Sequence, residues 1–317
     1  MPWQRSRWPT RCREQTDLPP PVMERFRQGG LLFDGGMGSM LIEKGLATGW
    51  LPEEWNVSRR DDVLDVHVDY LNAGARVIKT NTFGGTPARL NKHGFAERVA
   101  EFNAAGIAIA RAAVDGVVSG GEDTSFVAFS MGPGGDMFPP VGKAEEGRVR
   151  DEFLAQLAGA SGEHGPDMVL VETMLDVREA VIALEAVRSV LDIPIAVSMT
   201  YDRNPRGFYT IMGNEAIATT AVLEDAGVDV IAANCSISSG DMLDLARSLR
   251  ESTELPLLCQ PNAGKPGVRD GRPVYYQTAE EFAVDVAGMF SLGVNAVGGC
   301  CGTDPEFIRL AAAAMQA

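Results

Sequence analysis

The chain has 317 residues, 45% apolar and 22% charged, a balance that allows a soluble globular protein with a large core. With 28 Lys and Arg against 43 Asp and Glu, its net charge is −15, which argues against nucleic acid or an anionic membrane as partner. No apolar run approaches the roughly 18 residues of a membrane helix, and five cysteines are too few for a disulfide scaffold, so a cytoplasmic protein is expected.

Residues 1–21 read as a disordered tail. Arg5, Arg7, Arg11 and Arg13 stand among Pro and polar residues, Pro19–Pro21 close the segment, and no apolar stretch resembles a secretory signal. A transit peptide is the alternative. One domain is expected over 22–317. Within it, short apolar runs alternate with longer stretches of helical periodicity. The runs are Leu31–Asp34, Arg76–Phe83, Phe126–Met131, Met168–Thr173, Ile195–Tyr201, Val228–Cys235, Leu257–Pro261 and Asn295–Cys300. Asp61–Leu71, Val177–Val190 and Ala279–Leu292 are among the helical stretches. The segments NAGARVIKT, DAGVDVIAA and SLGVNAVGG repeat one unit, in which Gly74, Gly227 and Gly293 end a helix before a strand. Eight strand–helix units with strands apolar on both faces predict a (β/α)8 barrel. An open doubly wound sheet is the runner-up, but no G-x-G-x-x-G follows the first strand.

Active groups of such a barrel stand at the carboxyl ends of its strands. Three of the five cysteines fall there: Cys235 after the sixth run, Cys300 and Cys301 after the eighth. Three thiolates around one point suit zinc with one position open to a further thiol. Gly298, Gly299 and Gly302 would let the backbone bend so that both adjacent sulfurs face one ion. A vicinal disulfide or two inert core thiols are the competing readings. Cys259 is expected in the barrel wall and Cys12 in the tail. Asp34 and Glu172, at two other strand ends, read either as structural carboxylates (ion pair or helix cap) or as acceptors for a substrate ammonium. The Gly35-Gly36-Met37-Gly38 turn could offer N–H groups to a carboxylate. His67, His93 and His164 are read as solvated or locally paired.

The stretches LLFDGGMGSML, HVDYLNAGARVIKTNTFGGTPARL, VLVETMLDVREAVIAL, AANCS, QPNAGKP and GVNAVGGCCGT resemble the homocysteine S-methyltransferase family. Within it, they are most similar to the homocysteine-binding module of cobalamin-dependent methionine synthase. The resemblance implies one zinc ion per chain, held by Cys235, Cys300 and Cys301, and homocysteine activated through its sulfur. It implies that Asp34 and Glu172 bind the amino group, with Gly35, Gly36, Thr82 and Asn234 lining the pocket and Asn262 helping to shape it. Betaine-using relatives carry an aromatic cage; Trp50 could stand in it here, but its tyrosine positions read as Gly84 and Thr173, which argues against betaine. The expected donor is a methyl group on a corrinoid; because the further modules do not fit in 317 residues, methylcobalamin is expected from a separate protein or as the free cofactor. The loops 132–142 and 201–213 could form the docking face. Sulfonium or ammonium donors, a non-catalytic zinc- or thiol-binding subunit, and a barrel lyase using Lys79 or Lys265 are the alternatives.

Overall fold

Each of the eight expected runs coincides with one strand of the computed structural model, the fourth strand running one residue past its run, and the structure describes residues 21–118, 124–160, 165–269 and 272–315. The strands are β1 (Leu31–Leu32), β2 (Val77–Lys79), β3 (Phe126–Met131), β4 (Met168–Met174), β5 (Ile195–Met199), β6 (Val230–Asn234), β7 (Leu257–Gln260) and β8 (Ala296–Val297). They pair in parallel in the order β1-β8-β7-β6-β5-β4-β3-β2. Beyond β1, Phe33 bridges Val77 of β2, and the Asp34 N–H donates to the Val77 carbonyl at 3.0 Å. That contact brings the two ends of the sheet together, so the open doubly wound alternative is excluded and the (β/α)8 barrel holds.

Several strands are shorter than their apolar runs. β2 stops at Lys79 because the Thr82 N–H turns back to the Thr80 carbonyl at 2.9 Å, and β8 stops before its glycines. The helices follow the periodicity closely, at Arg60–Asn72, Val177–Val190 and Ala279–Ser291. Gly74, Gly227 and Gly293 all take positive φ, as helix-ending glycines do.

Side chains alternate across each strand, and one set points into the barrel. Leu31, Phe33, Val77, Ala128, Leu170, Ala196, Ala232, Leu258 and Ala296 pack together there. The opposite set, including Val171, Val197, Ile231 and Cys259, packs under the helices. A helix at Pro21–Gln28 closes the amino-terminal end: Val22, Met23 and Phe26 join the interior cluster, and Asn295 Nδ2 donates to the Phe26 carbonyl at 3.0 Å. Pro21, assigned to the tail from sequence, is thus the first residue of a helix; the remaining tail, Cys12 and His164 lie outside the described residues. At the carboxyl end the alternation continues but the chemistry changes. The next inward positions are Lys79, Ser130, Glu172, Ser198, Asn234 and Gln260, all buried.

Candidate metal centre and acceptor site

Three residues other than glycine take positive φ among the described residues: Thr173 (62°), Cys235 (64°) and Ser236 (59°). All sit at the ends of β4 and β6. Left-handed backbone costs a side-chain-bearing residue on the order of 1–3 kcal/mol and persists where neighbours impose it. Here the Cys235 N–H donates to the Gln260 carbonyl at 3.0 Å, and the Ile237 N–H to the Cys235 carbonyl at 2.7 Å. Asn234 fixes Thr173, accepting its N–H at 2.9 Å and donating to its hydroxyl at 2.8 Å. β6 therefore ends in a sharp turn that carries the Cys235 thiol.

The second arm is the segment after β8. Gly298 and Gly299 serve it by close approach rather than by unusual backbone angles: a Cβ at Gly298 would lie 2.6 Å from Phe33 Cβ, and one at Gly299 would lie 2.1 Å from Thr303 Oγ1. Gly302 does need its positive φ of 79°, and its bare Cα lies against the Tyr275 ring. The Cys300 N–H donates to the Pro261 carbonyl at 2.9 Å, and the Cys301 N–H to Asn262 Oδ1 at 3.1 Å. These bonds tie the adjacent cysteines to the end of β7.

The two arms bring the three sulfurs within 4.8 Å of one another, each half-buried and free of disulfide, with Cys235 Sγ 3.8 Å from Cys301 Sγ. Two sulfurs at about 2.3 Å from a tetrahedral zinc stand about 3.8 Å apart, so the spacing suits that ion. Hydrogen bonds from Cys235 and Cys300 hold the Cys301 thiol down at about 3, whereas hydrogen bonding with Cys235 and Cys301 pushes Cys300 well up. Without a cation, the cluster favours one thiolate over three. Cys259 is buried on the outer face of β7, in the barrel wall as expected.

Beneath the sulfurs lies the polar layer. Glu172 accepts the Ser130 hydroxyl at 2.5 Å and Asn234 Nδ2 at 3.2 Å; that same nitrogen stands 3.7 Å from Cys300 Sγ. Asp34 is fully buried and occupied by Lys79: the ammonium lies 2.6 Å from Oδ1, and the Lys79 N–H donates to Oδ2 at 2.8 Å. Burial pushes both carboxylates up, against the pull of Lys79. Burial opposes the charge on Lys79, but Asp34 and Glu172 outweigh it and hold the ammonium protonated. A Schiff-base lysine needs the reverse shift, and Lys265 is exposed, so the lyase alternative has no nucleophile at either position.

The remaining expected residues divide. Gly35 packs where a Cβ would meet Thr303 Oγ1 and the Tyr70 hydroxyl at 2.7 Å, and the Gly36 N–H already donates to the Thr303 carbonyl at 3.1 Å. Both stand beside the cysteine turn. Thr82 does not join the sulfurs: its hydroxyl donates to the Ser130 carbonyl at 2.8 Å, and its methyl faces Gly106 of the helix Val99–Val118. Trp50 is exposed and meets His93 edge-on at 5.2 Å. His67 departs from the expectation that it is solvated or paired. It is fully buried, and neither ring nitrogen has a partner among the described residues. Gln260 was not singled out from sequence and Lys79 only as the nucleophile of the lyase alternative, although their inward positions, two residues beyond Val77 and Leu258, are readable from strand alternation.

The sequence pattern of the homocysteine S-methyltransferase family matches residues 31–315. The chain belongs to that family. Membership agrees with the resemblance carried by its motifs. It is 31% identical over 306 residues to methionine synthase of Mycobacterium leprae (strain TN), and 31% over 312 residues to methionine synthase of Mycobacterium tuberculosis (strain ATCC 25618 / H37Rv). These alignments cover 93% and 95% of this chain but 25% of each relative, so the chain spans about a quarter of their length. In structure it is similar to the homocysteine methyltransferase MmuM from Escherichia coli in its metallated form, with a TM-score of 0.78 at 22% identity, covering 93% of this chain and 99% of the other. That likeness shows the shared barrel. No described helix is long and apolar enough to cross a membrane.

Proposed function

We propose that the chain is a zinc-dependent S-methyltransferase that converts homocysteine to methionine, with a corrinoid-bound methyl group as donor. The sulfur cluster at the barrel mouth carries the reading: three half-buried cysteines from two strand ends, spaced for one tetrahedral ion whose fourth position would take the incoming thiol. Zinc held by Cys235, Cys300 and Cys301 would lower the pKa of that thiol and keep its sulfur nucleophilic. The chain's own residues do the rest. The buried carboxylates Asp34 and Glu172 supply negative charge for the acceptor's ammonium, and Asn234 positions Glu172 beside Cys300. Gly35 and Gly36 keep the mouth narrow next to the cysteine turn, Asn262 fixes Cys301, and Thr82 supports the wall through Ser130. Holding acceptor and donor in line supplies the entropic share of the rate.

The corrinoid donor rests on the similarity to methionine synthases, and the carrier would be a module or protein outside these residues. A second reading has its own observation. Near the end of β4, a cavity of about 130 Å³ is lined by Met137, Phe138, Leu175 and Met212 together with Asp136, Asp176, Glu179 and Arg89. Apolar surface with three carboxylates against one guanidinium suits a sulfonium or ammonium donor. Methionine formation from homocysteine, with zinc-replete protein and methylcobalamin as sole donor, tests the first reading. Turnover supports it. Turnover with S-methylmethionine but with no corrinoid species would replace it with the second.

A further inference from the structure

Lys79 is the only buried lysine or arginine among the described residues, and the proposed reaction leaves it without a role. It ends β2 with its side chain inward, and its ammonium lies 2.6 Å from Asp34 Oδ1. Its backbone N–H donates to Oδ2 of the same carboxylate at 2.8 Å. The contact at Oδ1 is one of charge: among the described residues no hydrogen bond is directed at that buried oxygen, so it stays open to a further donor. The lysine ammonium also donates to the Gly299 carbonyl at 3.3 Å, one residue before the paired cysteines. A buried ion pair therefore stands beside the arm that carries two of the three sulfurs.

An α-amino acid bears its ammonium and its carboxylate on one carbon, so the complement of that zwitterion is a carboxylate next to a cation. The inward layer at the strand ends offers this arrangement once. Its carboxylates are Asp34 and Glu172, and its cation is Lys79. The Gly36 N–H, in the turn expected to meet a substrate carboxylate, is already taken by the Thr303 carbonyl at 3.1 Å. A carboxylate brought into this interior without a cation would face two like charges away from water, which is costly.

We propose that Lys79 binds the carboxylate of the acceptor, so that Asp34 and Lys79 together read the zwitterion of a thiol amino acid. The acceptor's ammonium enters on the open Oδ1 of Asp34, its carboxylate meets the Lys79 ammonium, and the four charges alternate. A thiol with an amino group alone leaves the lysine facing a second cation. The inference deepens the proposed methyl transfer by naming the part of the acceptor that Lys79 selects, and it rests on that reading.

Binding to the zinc-loaded protein tests the assignment without reference to the methyl donor. Calorimetric affinities are compared for homocysteine and for 3-aminopropanethiol, the same molecule without its carboxylate. The wild type is expected to favour homocysteine by about tenfold or more, the scale of a charge-assisted hydrogen bond. Lys79→Met should bring the ratio to within about twofold or invert it, because the zwitterion loses its partner while the aminothiol gains an uncompensated Asp34. A structural role alone would weaken both thiols together, so a ratio unchanged in Lys79→Met overturns the assignment. Where Lys79→Met does not fold, Lys79→Gln is read in its place, and equal wild-type affinities for the two thiols would overturn the assignment without any variant. Wild-type protein that takes up zinc but binds neither thiol would overturn the methyltransferase reading itself, and this assignment with it.

Discussion

Leu170 and Glu172 are successive inward residues of β4, as are Ala232 and Asn234 on β6 and Leu258 and Gln260 on β7. Below that boundary the interior is apolar and closed by Phe26 and its helix, with the Phe26 ring 5.9 Å from that of Phe33. Above it the interior carries an ion pair, a second carboxylate and an amide with unmet hydrogen bonds, and its rim holds all three non-glycine residues of positive φ found among the described residues. The same strand geometry serves both regions. The lower region stabilises the barrel through burial, and the upper carries strain and desolvated charge that only a ligand makes useful. Substitutions should therefore separate the two: stability should fail from below, function from above.

The largest expected effect is in the upper region. Cys300→Ala should abolish stoichiometric zinc binding in chelator competition and activity with it, while the circular dichroism spectrum keeps its barrel signature. Zinc retained at one ion per chain would remove Cys300 from the site. The lower region should answer in the opposite sense. Phe26→Ala should cost about 3–5 kcal/mol in urea unfolding, as phenylalanine truncations in cores do, yet leave the zinc content of the folded fraction intact. Loss of zinc at unchanged stability would mean that the two regions are coupled.

Much of this division was legible in the sequence, and the exceptions share a cause. Eight short apolar runs, each followed by helical periodicity, are local patterns, and the barrel follows from their number. The cysteines were readable because Cys-Cys among glycines is rare and has few uses. Lys79 was harder: from sequence it is a lysine near a strand end, and its meaning comes from Asp34, 45 positions earlier and across the seam where the barrel closes. Gln260 shows only as an absence of partners, which no local pattern predicts. Glycines 298 and 299 were assigned backbone freedom when their role is to let Phe33 and Thr303 approach, again a long-range fact.

His67 sharpens the comparison through pH. It is buried neutral in the helix Arg60–Asn72, where desolvation, with help from the charge of Lys79, pushes it from 6.5 down to about 3. Because the folded value is depressed, the unfolded chain binds the proton first, and stability falls as pH drops below about 6.5 until it levels near 3. Between pH 7 and pH 5 that loss is about 2 kcal/mol, from about 1.4 kcal/mol per unit. His67→Leu should remove this part of the pH dependence, seen as a flatter plot of urea midpoint against pH. An unchanged slope would place the titration elsewhere.

The smallest effect expected is at the strained rim. Thr173 is β-branched at φ 62°, a conformation that glycine adopts freely. Thr173→Gly relieves that strain but removes the hydroxyl that accepts from Asn234 Nδ2 at 2.8 Å. The two terms oppose each other, so the urea midpoint should move by no more than about 1 kcal/mol in either direction. Function should move further, because the same Asn234 nitrogen faces Glu172 and Cys300 and loses its fixed orientation. The expected signature is weaker homocysteine binding with zinc content unchanged. Weaker binding without a comparable loss of stability would show that the strain at the rim serves orientation of the acceptor site; a variant less stable by several kcal/mol but binding normally would show that it serves the fold.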